Sequence, residues 1–124
     1  MGQLVAVRSF VAEAAINANR VVTFGATDDN VLTATAVTSP LIGIVEGVSP
    51  VLGERVDVVM TGIADLQIGG SVTRGGYITV DAQGRGVAAA PAAGVNNNVI
   101  GVALQSGVSG DIIPVLISPG RIQG

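Results

Sequence analysis

The groups in this chain that could do acid–base, metal or phosphate chemistry are few, and their spacing suits none of those tasks. Asp57 with Asp65, or Glu46 with Glu54, are the candidate general acid–base pairs. Such a pair needs a cleft and displaced pKa values, whereas the alternation Val56-Asp57-Val58 puts Asp57 on the wet face of a strand. Asp28-Asp29-Asn30 is the candidate cation site. A calcium loop spaces its acids at alternate positions and adds a distant Glu, so consecutive acids read as solvated turn residues. Gly84-Arg85-Gly86-Val87-Ala88-Ala89 fits the lettering of a dinucleotide-binding loop. That loop must open a long helix, and Pro91 and Gly94 follow too soon for one. The chain has no His, no Cys and no Lys. A Ser nucleophile therefore lacks its usual base, and thiolate metal ligands are absent. The expectation is a protein that is not an enzyme, with no cofactor, no metal and no small-molecule substrate.

Charge narrows the partners. The formal net charge is −3, and the Arg residues at 8, 20, 55, 74, 85 and 121 are scattered. Phosphate binding wants a basic stripe, so nucleic acid is not expected. Tyr77, Phe10 and Phe24 are too few to make the aromatic platform of a carbohydrate- or peptide-binding module. No apolar run approaches the ~20 residues of a membrane span, and the start Met1-Gly2-Gln3-Leu4-Val5-Ala6-Val7-Arg8 lacks a signal-peptide pattern. The chain reads as a soluble protein made in the cytoplasm, with no membrane partner.

The elements that must position these residues are strands. Of 124 residues 48% are hydrophobic but only 2% aromatic, with 18 Gly and 5 Pro as punctuation. A core of Val, Ile, Leu and Ala suits pleated sheets, and the fold class is all-β. One unit occurs twice. Val21-Val22-Thr23-Phe24 matches Tyr77-Ile78-Thr79-Val80, and Val31 matches Val87. Leu41-Ile42-Gly43-Ile44 matches Val99-Ile100-Gly101-Val102. Gly53-Glu54-Arg55-Val56-Asp57-Val58 matches Gly110-Asp111-Ile112-Ile113-Pro114-Val115. Each copy predicts four strands, over 21–24, 31–36, 41–46 and 56–60, then 77–80, 87–90, 99–105 and 112–117.

Pro114 predicts an edge strand or a bulge at that point, because proline lacks the ladder N–H. Residues 13–19 are rich in Ala and favour one or two helical turns. Residues 88–98 read as a surface loop. The domain reading is an N-terminal arm over 1–13 and a single β domain over 14–124, with repeat one at about 14–62 and repeat two at about 70–120. The arm is either free to dock on a partner by strand addition or an extra strand laid on the domain. The expected architecture is a small β-barrel or sandwich formed by the two repeats; whether they close one barrel or pack as two half-sheets is open.

Leu41-Ile42-Gly43-Ile44-Val45-Glu46-Gly47, Gly53-Glu54-Arg55-Val56-Asp57-Val58-Val59 and Thr61-Gly62-Ile63-Ala64 resemble tailed-phage capsid decoration (cement) proteins, as do Gly69-Gly70-Ser71-Val72-Thr73-Arg74-Gly75 and Ile100-Gly101-Val102-Ala103-Leu104. The likeness covers about residues 11–120. It implies a structural virion protein on the outer surface of the expanded capsid. There it would cement neighbouring major capsid protein subunits, as a homotrimer at three-fold sites. On that reading Leu4, Val5, Val7 and Phe10 form a capsid-binding arm, and Arg55, Asp57 and Arg74 make subunit-interface ion pairs. A tail or baseplate component is the alternative with the same composition.

Overall fold

The computed structural model describes residues 6–124. Ten strands run in chain order: β1 Val7–Ala12, β2 Arg20–Phe24, β3 Asn30–Thr33, β4 Gly43–Val45, β5 Arg55–Val59, β6 Gly62–Gln67, β7 Tyr77–Val80, β8 Gly86–Ala88, β9 Asn96–Ala103 and β10 Ile112–Gln123. The fold is all-β, and it is duplicated. The first five strands close a barrel in the order β1-β3-β2-β4-β5, and the last five form a sheet ordered β6-β10-β9-β7-β8. A parallel bridge from Ile68 to Gly86 brings the two ends of that sheet together. Closure of the first unit removes its free edges, and the bridge shortens those of the second.

The duplication holds to the residue. Phe10 pairs with Val56 and Leu66 with Ile113. Ala12 faces Val31 in parallel, as Ile68 faces Gly86. Phe24 pairs with Val31 and Val80 with Gly86. Val22 pairs with Gly43 and Ile78 with Gly101. Ile44 pairs with Val59 and Val102 with Leu116. The interiors follow the same map. Phe10, Val22, Ile42, Val45, Val56 and Val58 fill the first unit. Leu66, Ile78, Ile100, Ala103, Ile113 and Val115 stand at the matched places in the second. Each such buried Val, Leu, Ile or Phe side chain stabilises the fold by about 1.5–3 kcal/mol.

The paired glycines have one cause. A Cβ on Gly43 would run into the carbonyl oxygen of Val59, and one on Gly101 into that of Leu116. Both residues sit where one strand passes close under its neighbour's backbone, so only glycine fits. The turns before β5 and β10 are also copies. Val51 N–H donates to Glu54 Oε1 at 2.8 Å, and Val108 N–H donates to Asp111 Oδ2 at 2.9 Å. Gly53 and Gly110 stand at φ +87° and +94° in these turns, where an L side chain is strained.

The structure corrects several expectations. The arm over 1–13 is not separate in its described part. Val7–Ala12 is a barrel strand, antiparallel to β5 and parallel to β3, because alternation sends Phe10 and Ala12 inward. Each unit thus begins one strand earlier than the sequence reading placed it, and β6 was not foreseen. No helical turn forms over 13–19. Ile16 N–H bonds to Pro50 O and Ala18 N–H to Ser49 Oγ, so the donors a helix needs are taken by the chain opposite. Residues Asn96–Asn98 are strand, because β10 continues to Gln123 beyond a register shift between Ile117 and Gly120.

Pro114 lies neither on an edge strand nor at that shift, since β10 runs between β6 and β9. The β9 ladder starts at Val115–Ala103, and the Pro114 carbonyl accepts from Leu104 N–H at 3.1 Å, just past the end of β9. A strand residue's N–H points the same way as its C=O, so Pro114 lacks the bond that would return to Leu104, and the β9 ladder ends there.

Candidate interaction surface

The charged residues are largely occupied in holding the fold. Glu54 and Asp111 clasp the two turns already described. Glu46 accepts from Asp65 N–H at 2.6 Å. Glu13 reaches across Gly25 to accept from Ala26 N–H at 2.7 Å. In the second unit the arrangement is reversed. Asp81 reaches across Gly69, accepts from Gln83 and Arg85 N–H, and pairs with Arg85 Nε at 2.9 Å. The carboxylate has moved to the other member of the facing pair, and glycine makes room for it each time. Asp29 pairs at the surface with Arg8 at 3.2 Å. Among the described residues no group of three or more His, Cys, Asp or Glu is placed to hold a metal ion.

The expected contact residues separate. Leu4 and Val5 lie outside the described residues. Val7 is exposed at the start of β1. Phe10 is 1% exposed in the first unit's core, with the Arg8 guanidinium 4.7 Å from its ring centre, so it is a core residue and not a capsid contact. Arg55 and Asp57 share the wet face of β5. Arg55 Nη1 donates to Ser9 Oγ at 3.3 Å, and Asp57 lies opposite Ser9. They border a shallow basin of about 520 Å³ that Val48 and Ser49 help to wall. Arg74 lies in the other unit beside Ser106, whose hydroxyl accepts its backbone N–H at 2.9 Å. Among the described residues none of Arg55, Asp57 and Arg74 has an ion-pair partner.

What sequence reasoning missed is an apolar row across the second unit. Ile63 pairs with Leu116, Leu116 with Val102, and Val102 with Tyr77. Ile63, Leu116 and Tyr77 are 40%, 41% and 54% exposed, and Val102 is partly so. The row crosses four neighbouring strands without a charge. Its counterpart in the first unit is Val7–Val59–Ile44–Val21, joined by the matching pairings. There Val21 and Ile44 are fully buried, and Val59 packs against the second unit's core. The signal in the sequence was the alternation of Ala64, Leu66 and Ile68 with Asp65 and Gln67, which marks β6 and leaves Ile63 facing outward.

The cover over Val59, Ile44 and Val21 is the second unit itself, while Val7 at the end of the row stays exposed. Gln67 N–H donates to Asn19 O at 3.0 Å, and Val21 N–H donates to Gly84 O at 2.9 Å. Arg20 donates from Nη2 to Gln67 Oε1 at 2.7 Å and from Nη1 to Gln83 O at 3.3 Å. Burial depresses the Arg20 pKa, as does the neighbouring Arg85, while Asp81 opposes them. Asn19, at φ 61°, is the one non-glycine residue with positive φ among the described residues. Gly75 stands at the matched place in the second unit. Asparagine tolerates this conformation, and its side chain donates to Asp65 O at 3.0 Å, tying β6 to the first barrel.

No family profile matches the chain, and no curated protein matches it. Among solved structures it is similar to the N base of the head fiber gp8.5 of bacteriophage phi29, with a TM-score of 0.70 at 17% identity. That alignment covers 98% of this chain and 100% of the other. At that identity the likeness is one of fold: the whole duplicated architecture is shared with the base of a phage head fiber.

Proposed function

We propose that this protein is a structural component of a tailed-phage virion, without enzymatic activity. It binds the outside of the expanded head and cements neighbouring major capsid subunits as a homotrimer at three-fold sites. The observation that carries the reading is the whole-chain fold likeness to the base of a phage head fiber. Two features support it. The carboxylates of the two candidate acid–base pairs are engaged in turns and backbone bonds or lie on a wet strand face, which suits a mechanical role. The closed first barrel and the bridged second sheet leave few free edges, which suits a subunit held under load.

The N-terminal segment containing Leu4, Val5 and the exposed Val7 contacts the capsid, while Arg55, Asp57 and Arg74 supply rim ion pairs. Avidity makes three such footholds sufficient, since linked weak contacts gain ~10²–10⁴ over a single one. A protein that binds only the assembled shell stabilises it by mass action.

The test is co-sedimentation of the purified protein with empty expanded heads and, separately, with tails of the encoding phage. Saturable binding to heads at a copy number that is a multiple of the three-fold sites is expected. Deleting residues 1–5 should weaken that binding without lowering the melting temperature. Binding to tails and not heads overturns the capsid reading in favour of a tail or baseplate component.

A further inference from the structure

We propose that the open row of the second unit, Ile63–Leu116–Val102–Tyr77, seats the first unit of a second copy of this chain, so that copies join head to tail. The fold supplies its own precedent. Three of the four residues in the matched row of the first unit, Val59, Ile44 and Val21, are covered by a copy of the same unit, through β6 and the turn between β7 and β8. Ala64, Val80 and Ile117 of the second unit share one buried cluster with Val21 and Ile44 of that row. The residues at the matched places in the first unit are Arg8, Phe24 and Met60. They lie on β1, at the mouth of the turn between β2 and β3, and just after β5.

Each chain thus carries one unfilled seat and, in Phe24, an apolar residue at a matched covering place that its own chain leaves open. Phe24 is 53% exposed where Val80 is 3% exposed. A large aromatic side chain left outward at the place where the other unit buries a valine is what a seated copy would bury. Arg8, at the place of Ala64, already lies over Phe10 and pairs with Asp29 in its own chain, so it borders the covering face while Phe24 fills the seat. The two faces belong to different units, so the contact is heterologous. Such contacts close into rings when the rotation permits and otherwise grow into filaments. The inference rests on the oligomeric part of the proposed function and names the surface that makes the oligomer.

Sedimentation velocity on the full chain decides it, with the wild type, Leu116→Glu, Phe24→Glu and an equimolar mixture of the two variants. The wild type is expected to be oligomeric at ~10 µM, where a micromolar contact is largely formed. Each variant should be monomeric with an unchanged circular dichroism spectrum and melting temperature. The mixture should yield a dimer and nothing larger, because each partner retains one intact face. Tyr77→Glu replaces Leu116→Glu if the latter lowers the melting temperature.

A monomeric wild type, a mixture that stays monomeric, or either variant assembling like the wild type overturns the proposal. A monomeric wild type that still co-sediments with heads sinks this inference and leaves head binding standing without the trimer. An oligomer that ignores heads does the reverse.

Discussion

In the first unit Ala12 lies opposite Val31; at the matched place in the second, Ile68 lies opposite Gly86. The bulk has crossed from one strand to the other while the pairing stayed the same. A Cβ on Gly86 would press on Leu66 and Ile78 at 2.7 and 2.9 Å, so the second core is already full. Glu13 over Gly25 and Asp81 over Gly69 show the same exchange in a polar pair. Backbone register is what the two units share, and side-chain volume is conserved only as a sum over facing positions. Packing that tolerates volume-conserving exchange but resists net change accounts for this.

The largest expected effect comes from emptying matched core positions. Phe10→Ala should cost about 3–5 kcal/mol and Leu66→Ala about 2–5 kcal/mol, read from denaturant midpoints. The comparison adds a direction. Leu66 belongs to the core that also includes Val21 and Ile44 of the first unit, whereas Phe10 belongs to the first barrel alone. Loss at Leu66 should therefore lower the unfolding of both units together. Two separated transitions in Leu66→Ala would show that the shared core does not couple them.

How far the sequence carried this fold is clear from the same residues. The matches of Gly43 with Gly101 and Gly53 with Gly110 were visible because close approach and positive φ admit little but glycine. Phe10 and Leu66 were not recognised as a pair, since nothing but burial relates a phenylalanine to a leucine. β1 therefore read as an arm, and β6 was passed over. At β3 and β8 the sequence matched Val31 with Val87, whereas the pairings match Val31 with Gly86. Identity of letters won there over volume exchange. The apolar row was hidden for a related reason: Val21 and Tyr77 occupy one structural place, but one is buried by the other unit and one is exposed. Which face is covered depends on how the units pack, and strand patterning within one unit does not record that.

A mid-sized effect should come from restoring the first unit's arrangement in the second. Ile68→Ala alone leaves a cavity, and Gly86→Val alone overpacks, the latter by roughly 1–3 kcal/mol. Combined, the two changes recreate the facing pair Ala12 and Val31. The double variant should be more stable than the summed single losses predict, with a coupling of about 0.5–3 kcal/mol in a thermal or denaturant cycle. Strict additivity would mean that the two units' cores are not interchangeable at this layer, and that the matched register does not extend to packing.

The smallest effect tests the duplicated turns. Glu54→Ala and Asp111→Ala each remove one carboxylate-to-N–H bond in an exposed turn, from Val51 and from Val108 respectively. A typical bond contributes about 0.5–1.5 kcal/mol, and solvent exposure puts both at the low end. The matched geometry predicts nearly equal losses, although one acid is longer by a methylene. In each turn the flanking backbone bond is also the same, Glu54 N–H to Val51 O and Asp111 N–H to Val108 O, both at 3.0 Å. Only the side-chain arm differs, so equal losses would mean the acid acts solely as an acceptor for that N–H. A clearly larger loss at Asp111 would mean that it also steadies Gly107, whose added Cβ would lie 3.1 Å from Asp111 Oδ2 and equally close to Ile113. The turn of the second unit would then be tied to its core in a way the first unit's is not.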